Sequence, residues 1–441
     1  MTATVLLVLP AASPCAPRTA GRPSASRAAP ACGGGDDWGT ELDAELGLLL
    51  WGLRGALAHG LATPGPAGGT REPSADLAVD WQRFLLLVDH HRVASLVRKG
   101  LEGCPLPEPA AQALLERARL NGFRALALAR ELAQVVLGLD GIGIRPLALK
   151  GPVLALRAYG SLTARHAGDL DLWVPEGDLE RAAELLQTRG YRYLDRVEGF
   201  SPRQRAALAR RIHHLEMLQP EEGIRVELHT RLTRNPHLFP LPPEKCLERA
   251  EPTVVAGVPV AGLCRRDQAL HLCVHAAVHG WHRLFWLADV AEVFRNLSPN
   301  EWGEVWSLGT ARGLQRVVAQ APVLCHTLIG DPLPEEARHL AERDPRVGAL
   351  VREALWAIEA AQSDYPGPRR GARYSLCYAP HLRKDRRYQF WQASQCLSGS
   401  QADFEALPLP DWLFPAYPLL RPWLFARRLA RRLAGPSSGH Q

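Results

Sequence analysis

The sequence predicts an α+β protein, a small mixed β-sheet flanked by N-terminal and C-terminal helical regions. Three observations lead there. Between residues 141 and 262, short apolar runs and helical stripes follow one another in the order β-α-β-α-β-β, the pattern of a sheet with helices laid over it. On either side, apolar residues recur every three or four positions, as on helix faces. The composition, 46% hydrophobic and 22% charged over 441 residues, is ordinary globular usage and allows two or three domains.

Taken in order, residues 1–37 are rich in Ala, Pro, Ser and Gly and read as a disordered low-complexity leader. Residues 38–140 form an N-terminal helical region. Leu46, Leu49, Leu50 and Leu53 have helix spacing, as do Phe84, Leu87, Val88 and His91, and then Leu114, Leu115, Ala118 and Leu126. A Pro- and Gly-rich linker at 64–73 interrupts this region. In the core, 141–262, residues 146–149 read as a buried strand, 152–159 as a helix and 169–174 as a second strand. Leu179, Ala182, Ala183, Leu185 and Leu186 make an apolar helical stripe closed by Gly190, and 191–194 resembles a strand. A polar, Arg-rich helix near 203–211 leads to strands at 213–218 and 224–229, joined by Pro220-Glu221-Glu222-Gly223 in a hairpin turn. A further hairpin spans 254–260 and bends at Gly257.

Residues 263–400 are expected to be a helical domain, with Leu270, Val274, Ala277 and Val278 as its first apolar stripe. At ~100° per residue, His271, His275, His282 and Asp289 fall within about 40° of one another, with His279 nearby. Gly280 is where such a helix would break. Asp289 stands inside an apolar run and therefore needs a buried partner, such as Arg283. Residues 401–441 contain a Pro-rich segment and a basic amphipathic tail. There Phe425, Leu429 and Leu433 lie beside Arg427, Arg428, Arg431 and Arg432. Such a helix either docks on the protein or rests weakly on an anionic membrane surface.

The chemistry concentrates at Lys150-Gly151 and Asp169-Leu170-Asp171. In an extended strand residues i and i+2 share a face, so Asp169 and Asp171 aim together and Leu170 and Leu172 aim at a core. Two adjacent carboxylates repel unless a cation lies between them, and oxygen ligands suit Mg²⁺. A glycine turn that opens a helix brings backbone N–H groups up to a polyphosphate. Alternation also puts Glu227 and His229 on one face of their strand, opposite Val226 and Leu228. These features together point to metal-assisted transfer of a nucleotidyl group.

Leu149-Lys150-Gly151, Tyr159, Arg165, Gly168-Asp169-Leu170-Asp171-Leu172 and Val226-Glu227-Leu228-His229 resemble the uncharacterised bacterial nucleotidyltransferase family of the polymerase-β-like superfamily. His275, Trp281, Arg283-Leu284 and Trp286-Leu287-Ala288-Asp289 extend the likeness, which covers roughly 80–300. The resemblance implies that Asp169, Asp171 and Glu227 bind Mg²⁺, two ions in all, and that Gly151 faces the triphosphate of an NTP. Lys150 and Arg165 would neutralise phosphate charge. His229, His275, His279, Arg283 and Asp289 would stand on the substrate side. Pro152 follows Gly151 where many members carry a second small residue, and so removes one N–H donor. Gly160-Ser161 is a second candidate for the phosphate turn, but only seven residues separate it from Asp169, too few for a helix and a return. The acceptor is left open among protein, peptide, sugar, small molecule and RNA end. Two other readings stand beside the enzyme. One is a catalytically silent nucleotide-binding module. The other is an accessory protein of a biosynthetic gene cluster for a modified peptide or polysaccharide.

Other classes are excluded or weakened. A net charge of +6 does not demand nucleic acid, and the Arg- and Tyr-rich stretch 366–400 reads as surface more readily than as a base-stacking platform. Of 52 basic residues only four are lysines, which makes Lys150 conspicuous. Ala276 stands where a zinc protease would place Glu between His275 and His279. Nine scattered cysteines without a Cys-x-x-Cys pair argue against a disulfide framework and suit a cytoplasmic protein. No apolar run approaches the ~20 residues of a membrane span. The brief run from Val5 to Leu9 lacks the basic flank of a secretory signal and fits an over-extended start equally well.

Overall fold

Strands form where the period-two patterns lie, and they pair into one sheet. The computed structural model describes residues 43–58, 79–166, 168–194, 203–204, 213–239, 241–360, 373–397 and 401–433. The expected leader at 1–37, the linker at 64–73 and nearly all of the polar helix near 203–211 lie outside them. The strands are β1 (Leu147–Ala148), β2 (Leu170–Trp173), β3 (Arg192–Tyr193), β4 (His214–Gln219), β5 (Ile224–His229), β6 (Glu251–Val255) and β7 (Val258–Gly262). They make a seven-stranded mixed sheet in the order β3-β4-β5-β2-β1-β7-β6. Hairpins set the antiparallel pairs β4/β5 and β6/β7, whereas β2/β5 and β1/β7 are parallel. The β6–β7 bend takes positive φ at Ala256 (47°) and Gly257 (83°), the backbone of a tight two-residue hairpin turn.

Helices follow the apolar stripes. The N-terminal region supplies α1 (Ala44–Leu57), α2 (Trp81–His91), α3 (Ala94–Gly100) and the long α4 (Glu108–Gly141). Two helices are interleaved with the strands, α5 (Gly151–Tyr159) and α6 (Leu179–Thr188), and a short α7 (Pro243–Glu248) precedes β6. Beyond the sheet come α8 (Arg265–Val278), α9 (Leu284–Arg295), α10 (Pro299–Ala311), α11 (Gln315–Ile329), α12 (Glu335–Arg343) and α13 (Pro345–Glu359). The chain then forms α14 (Arg386–Leu397), α15 (Gln401–Ala406) and α16 (Tyr417–Leu433).

The core of the sheet lies between it and α4 with α6. Leu170, Leu172, Val226, Leu228 and Met217 from the sheet pack with Leu128, Leu132, Val135, Val136 and Leu139 of α4 and with Ala182, Ala183 and Leu186 of α6. Each such Leu, Val or Met side chain stabilises the fold by ~1.5–3 kcal/mol when fully removed from water. Alternation then sends Asp171, Glu227 and His229 to the opposite face, where α8 lies. Helix α4 therefore belongs to the core of the sheet, although the sequence placed it in a separate helical region.

Two sequence expectations change in detail. The single projection through His271 and Asp289 is broken: α8 ends at Val278, and Gly280 (φ 63°) and Trp281 (φ 55°) turn the chain before α9. The tail helix begins earlier than expected, at Tyr417, and its first half is docked. Tyr417 and Leu424 are buried with Phe404, and Arg421 donates to the Gln395 carbonyl at 2.8 Å. Tyr374 and Tyr388, candidates for base stacking, point their hydroxyls inward to the carbonyls of Val278 and Ala379 at 2.6 Å each. Among the described residues, no helix is long and apolar enough to cross a membrane.

Candidate active site

The glycine turn is built as the sequence requires. Gly151 opens α5 with φ 67°, a region that L side chains rarely adopt, and Pro152 follows in the first turn where a missing N–H costs little. Gly160 closes the same helix in a left-handed C-cap with φ 65°, so the alternative phosphate turn at Gly160-Ser161 is a helix stop instead. Arg157 anchors α5 to the outer hairpin, donating to Thr253 Oγ1 at 2.5 Å and to the Leu263 carbonyl at 2.6 Å. The backbone of the two halves meets directly, since Leu149 N–H donates to the Asp171 carbonyl at 3.0 Å.

The carboxylates divide. Asp171 is in β2 and Asp169 lies just before it, outside the strand. Asp169 lines a pocket together with Gly151, Pro152, Arg165 and His166. Parallel pairing of β2 with β5 sets Asp171 directly beside Glu227, and antiparallel pairing of β4 with β5 sets Glu216 on Glu227's other side. Three carboxylates thus form one row across three strands. The next row pairs His214 with His229.

Positive groups fill the space between. Lys150 Nζ lies 3.1 Å from Asp171 Oδ1, with its side chain only 10% exposed, and 3.2 Å from His275 Nε2. His229 Nε2 lies 3.3 Å from Asp171 and 3.2 Å from Glu227, yet neither ring nitrogen has a partner in hydrogen-bond geometry. Burial alone would lower the His229 pKa, but the two carboxylates push it up to about 9. Burial also works against ionising Asp171; Lys150 and His229 outweigh it and hold that carboxyl well below the usual range. Asp169 goes the other way, raised to about 6 by burial and by the charge of Asp171. Asp169 and Asp171 therefore shift in opposite directions, because Asp171 is flanked by two cationic groups.

A second, basic cluster surrounds Asp169. Arg92, at the left-handed C-cap of α2 with φ 57°, lies over the Phe285 ring at 5.9 Å, and Arg165 lies over it at 5.8 Å. Burial and the nearby charge of Arg283 lower the Arg92 pKa to about 10, against the opposing pull of Asp169. From α4, Asn121 donates to the Arg165 carbonyl at 3.1 Å. Arg124 donates to the carbonyls of Gly168 (3.2 Å) and Gly223 (2.9 Å). The polar side of α4 thus holds the segment that presents Asp169.

The remaining expected residues separate into two groups. Lys150, Gly151, Asp169, Asp171, Glu227, His229 and His275 come together. Arg165 lines the pocket, but its guanidinium is engaged by Asp289. Its Nε donates to both oxygens of Asp289 at 2.9 and 3.0 Å, and its Nη2 pairs with Oδ2 at 2.9 Å. Tyr159 donates to the same carboxylate at 2.9 Å. The buried partner of Asp289 is therefore Arg165 with Tyr159, not Arg283, because the loop before β2 folds back onto α9. His279, exposed, stacks on Trp286 with ring centroids 4.9 Å apart. Arg283 precedes α9 near Arg92. Sequence reasoning missed Arg92, Arg124, His214 and Glu216. The hairpin register of β4 and β5 carried a signal for the last two, since a known turn fixes which residues face Glu227. Arg92 and Arg124 had none.

A family described as "Uncharacterised nucleotidyltransferase" matches residues 78–330 of the chain, which include β1 to β7 and helices α2 to α11. No curated protein matches the chain.

Proposed function

Because the chain belongs to the uncharacterised nucleotidyltransferase family, we propose that it transfers a nucleoside monophosphate from an NTP to an acceptor hydroxyl at the Asp171–Glu227 row. The observation that carries this reading is the β2/β5 register, which sets Asp171 beside Glu227 while Asp169 and the Gly151 turn share the adjoining pocket. The donor set fits a divalent cation. Asp171, Glu227 and His229 each offer one ligand atom, all within 4.8 Å of one another, and the imidazole between the carboxylates is buried without a hydrogen-bond partner. A cation there, Mg²⁺ by the resemblance, would neutralise phosphate charge and make the acceptor hydroxyl more acidic.

In the reaction the acceptor oxygen forms a bond to the α-phosphorus, and the bond from that phosphorus to pyrophosphate breaks. Asp169, Asp171 and Glu227 would hold the metal, with two ions shared among them. Lys150, one residue from the Gly151 turn, is the counter-ion of Asp171 and keeps it ionised. Arg92 lies on the Asp169 side and is suited to phosphate oxygens, a role better matched to it than to Arg165, whose guanidinium is held by Asp289. Arg165 then acts on the site indirectly, by fixing the loop that leads to Asp169.

The test is incubation of the protein with each α-labelled NTP, a divalent cation and a lysate of the source cell. Label is expected to move to an acceptor with wild-type protein and to stay unincorporated with Asp171→Asn. Nucleotide binding without any transfer, across all four NTPs, would refute the catalytic reading and leave a silent nucleotide-binding module.

A further inference from the structure

The cross-strand row does not stop at Asp171 and Glu227. Glu216 of β4 stands opposite Glu227, so a third carboxylate extends the row outward. His214 accompanies it in the next row, beside His229. The result is two triads of the same composition. One is Asp171, Glu227 and His229; the other is Glu216, Glu227 and His214. Each consists of two carboxylates and one imidazole with their ligand atoms within 4.8 Å, and Glu227 belongs to both.

A bare ion pair between His214 and Glu216 at 3.1 Å would be an ordinary surface contact worth ~0–1 kcal/mol. Two features go beyond that. Like charges directly opposite on neighbouring strands destabilise a sheet; Lys150 and His229 meet Asp171 at the inner end of the row, whereas Glu216 and Glu227 stand opposite each other beside His214. In addition, His214 is oriented through its other nitrogen. Its Nδ1 lies 3.3 Å from His213 Nε2, while its Nε2 faces Glu216 at 3.1 Å and Glu227 at 3.9 Å. In the tautomer that donates from Nδ1 to His213, Nε2 turns its lone pair to the same point as the Glu216 and Glu227 oxygens, a convergence that a cation would satisfy; in the other, Nε2–H donates to Glu216. Support of one imidazole nitrogen by a neighbouring group while the other is free to ligate is how metal-binding histidines are usually held.

We propose that His214, Glu216 and Glu227 form an outer divalent-cation site, distinct from the inner one, that takes a transition ion such as Mn²⁺ or Zn²⁺ in preference to Mg²⁺. The imidazole ligand sets that preference, because mixed nitrogen and oxygen donors favour transition ions whereas Mg²⁺ favours oxygen alone. The outer ion neutralises the row and fixes the orientation of Glu227, the one carboxylate both triads share. This rests on the reading that the Asp171–Glu227 patch holds the inner cation.

The experiment is calorimetric titration of chelator-stripped protein with Mn²⁺ and with Zn²⁺ in the absence of nucleotide, followed by anomalous scattering from crystals soaked in Mn²⁺. His214→Ala and Glu216→Gln should each weaken binding by at least about 10–100-fold and remove the anomalous peak beside Glu216, while Asp171→Asn leaves that peak in place. Should His214→Ala fail to fold, Glu216→Gln gives the same reading from a carboxyl that is 33% exposed. Unchanged affinity in Glu216→Gln, a single peak lost only in Asp171→Asn, or no binding of either ion by wild type would each overturn the outer site. Absence of nucleotidyl transfer with the Glu216 peak present would instead refute the catalytic reading and leave the outer site standing.

Discussion

Removing Arg165 tests whether this arginine is a structural post or a phosphate ligand. Asp289 is 0% exposed and its carboxylate is met by three contacts from Arg165 between 2.9 and 3.0 Å and one from Tyr159 at 2.9 Å. Burial favours the neutral form of Arg165, but Asp289 outweighs it and raises the arginine's pKa. Arg165→Met leaves a buried carboxylate with a single neutral hydroxyl as partner, and breaking a buried pair in this way costs about 3–5 kcal/mol. That is a large share of a total stability of about 5–15 kcal/mol. Asp289→Asn should cost a similar amount from the other side. Tyr159→Phe, which removes one hydrogen bond to a charged group, should cost about 1.5–3 kcal/mol. The double variant Arg165→Met/Asp289→Leu removes both charges and should recover most of the loss, since an apolar replacement of a buried pair is often neutral. Urea denaturation, comparing midpoints at constant slope, reads all four. A loss below about 1 kcal/mol in Arg165→Met, or no recovery in the double variant, would refute the structural assignment.

Other outcomes follow from the site. Asp171→Asn should abolish turnover, and Glu227→Gln should lower kcat by about 10²–10⁴ with nucleotide affinity nearly unchanged, in single-turnover assays. Arg92→Gly suits the positive φ of 57° at that position, so thermal melting should show stability kept or raised. Calorimetry should nonetheless show NTP binding weakened by about 1.5–3 kcal/mol if the guanidinium holds phosphate. The pH dependence has a definite sign. The ion pairing of His229, raised from 6.5 to about 9, is fully present below pH 6.5 and is lost as pH rises through 9. Asp169, raised from 3.8 to about 6, binds its proton more tightly when folded and so destabilises the fold as pH rises between those values. Below pH 6.5 these losses are opposed by His166, His213, His271, His275 and His279, whose pKa values burial lowers, so ion-free protein should melt lower as pH increases from 7 to 9. Added divalent cation should raise the melting temperature more at pH 8 than at pH 5.5, because protons no longer compete for its ligands. An increment that is larger at pH 5.5 would contradict the assignment of Asp169 and His229 as ligands.

The chain itself determined whatever depends on near neighbours. Period-two alternation decided that Leu170 and Leu172 face the core while Asp171 faces away, and that Glu227 and His229 share a side. A glycine followed by proline opened α5, a left-handed glycine closed it, and a four-residue polar turn joined β4 to β5. Each is a matter of local sterics and pleat, so each is legible without a partner. What only the tertiary structure decided is which of these local pieces meet. Strand β2 pairs parallel to β5, with Asp171 rather than Asp169 opposite Glu227, because the register is set by core packing of Leu170 and Leu172 against Val226 and Leu228. Asp169 lies outside the strand and is presented by α4 through Arg124. Asp289 takes Arg165 from a distant loop instead of Arg283 just before its own helix, and Lys150 meets Asp171 and His275 instead of solvent. Such pairings are long-range electrostatic choices made inside a packed interior, where the desolvated charge takes the partner that folding brings within 3 Å, and sequence spacing holds no record of that distance.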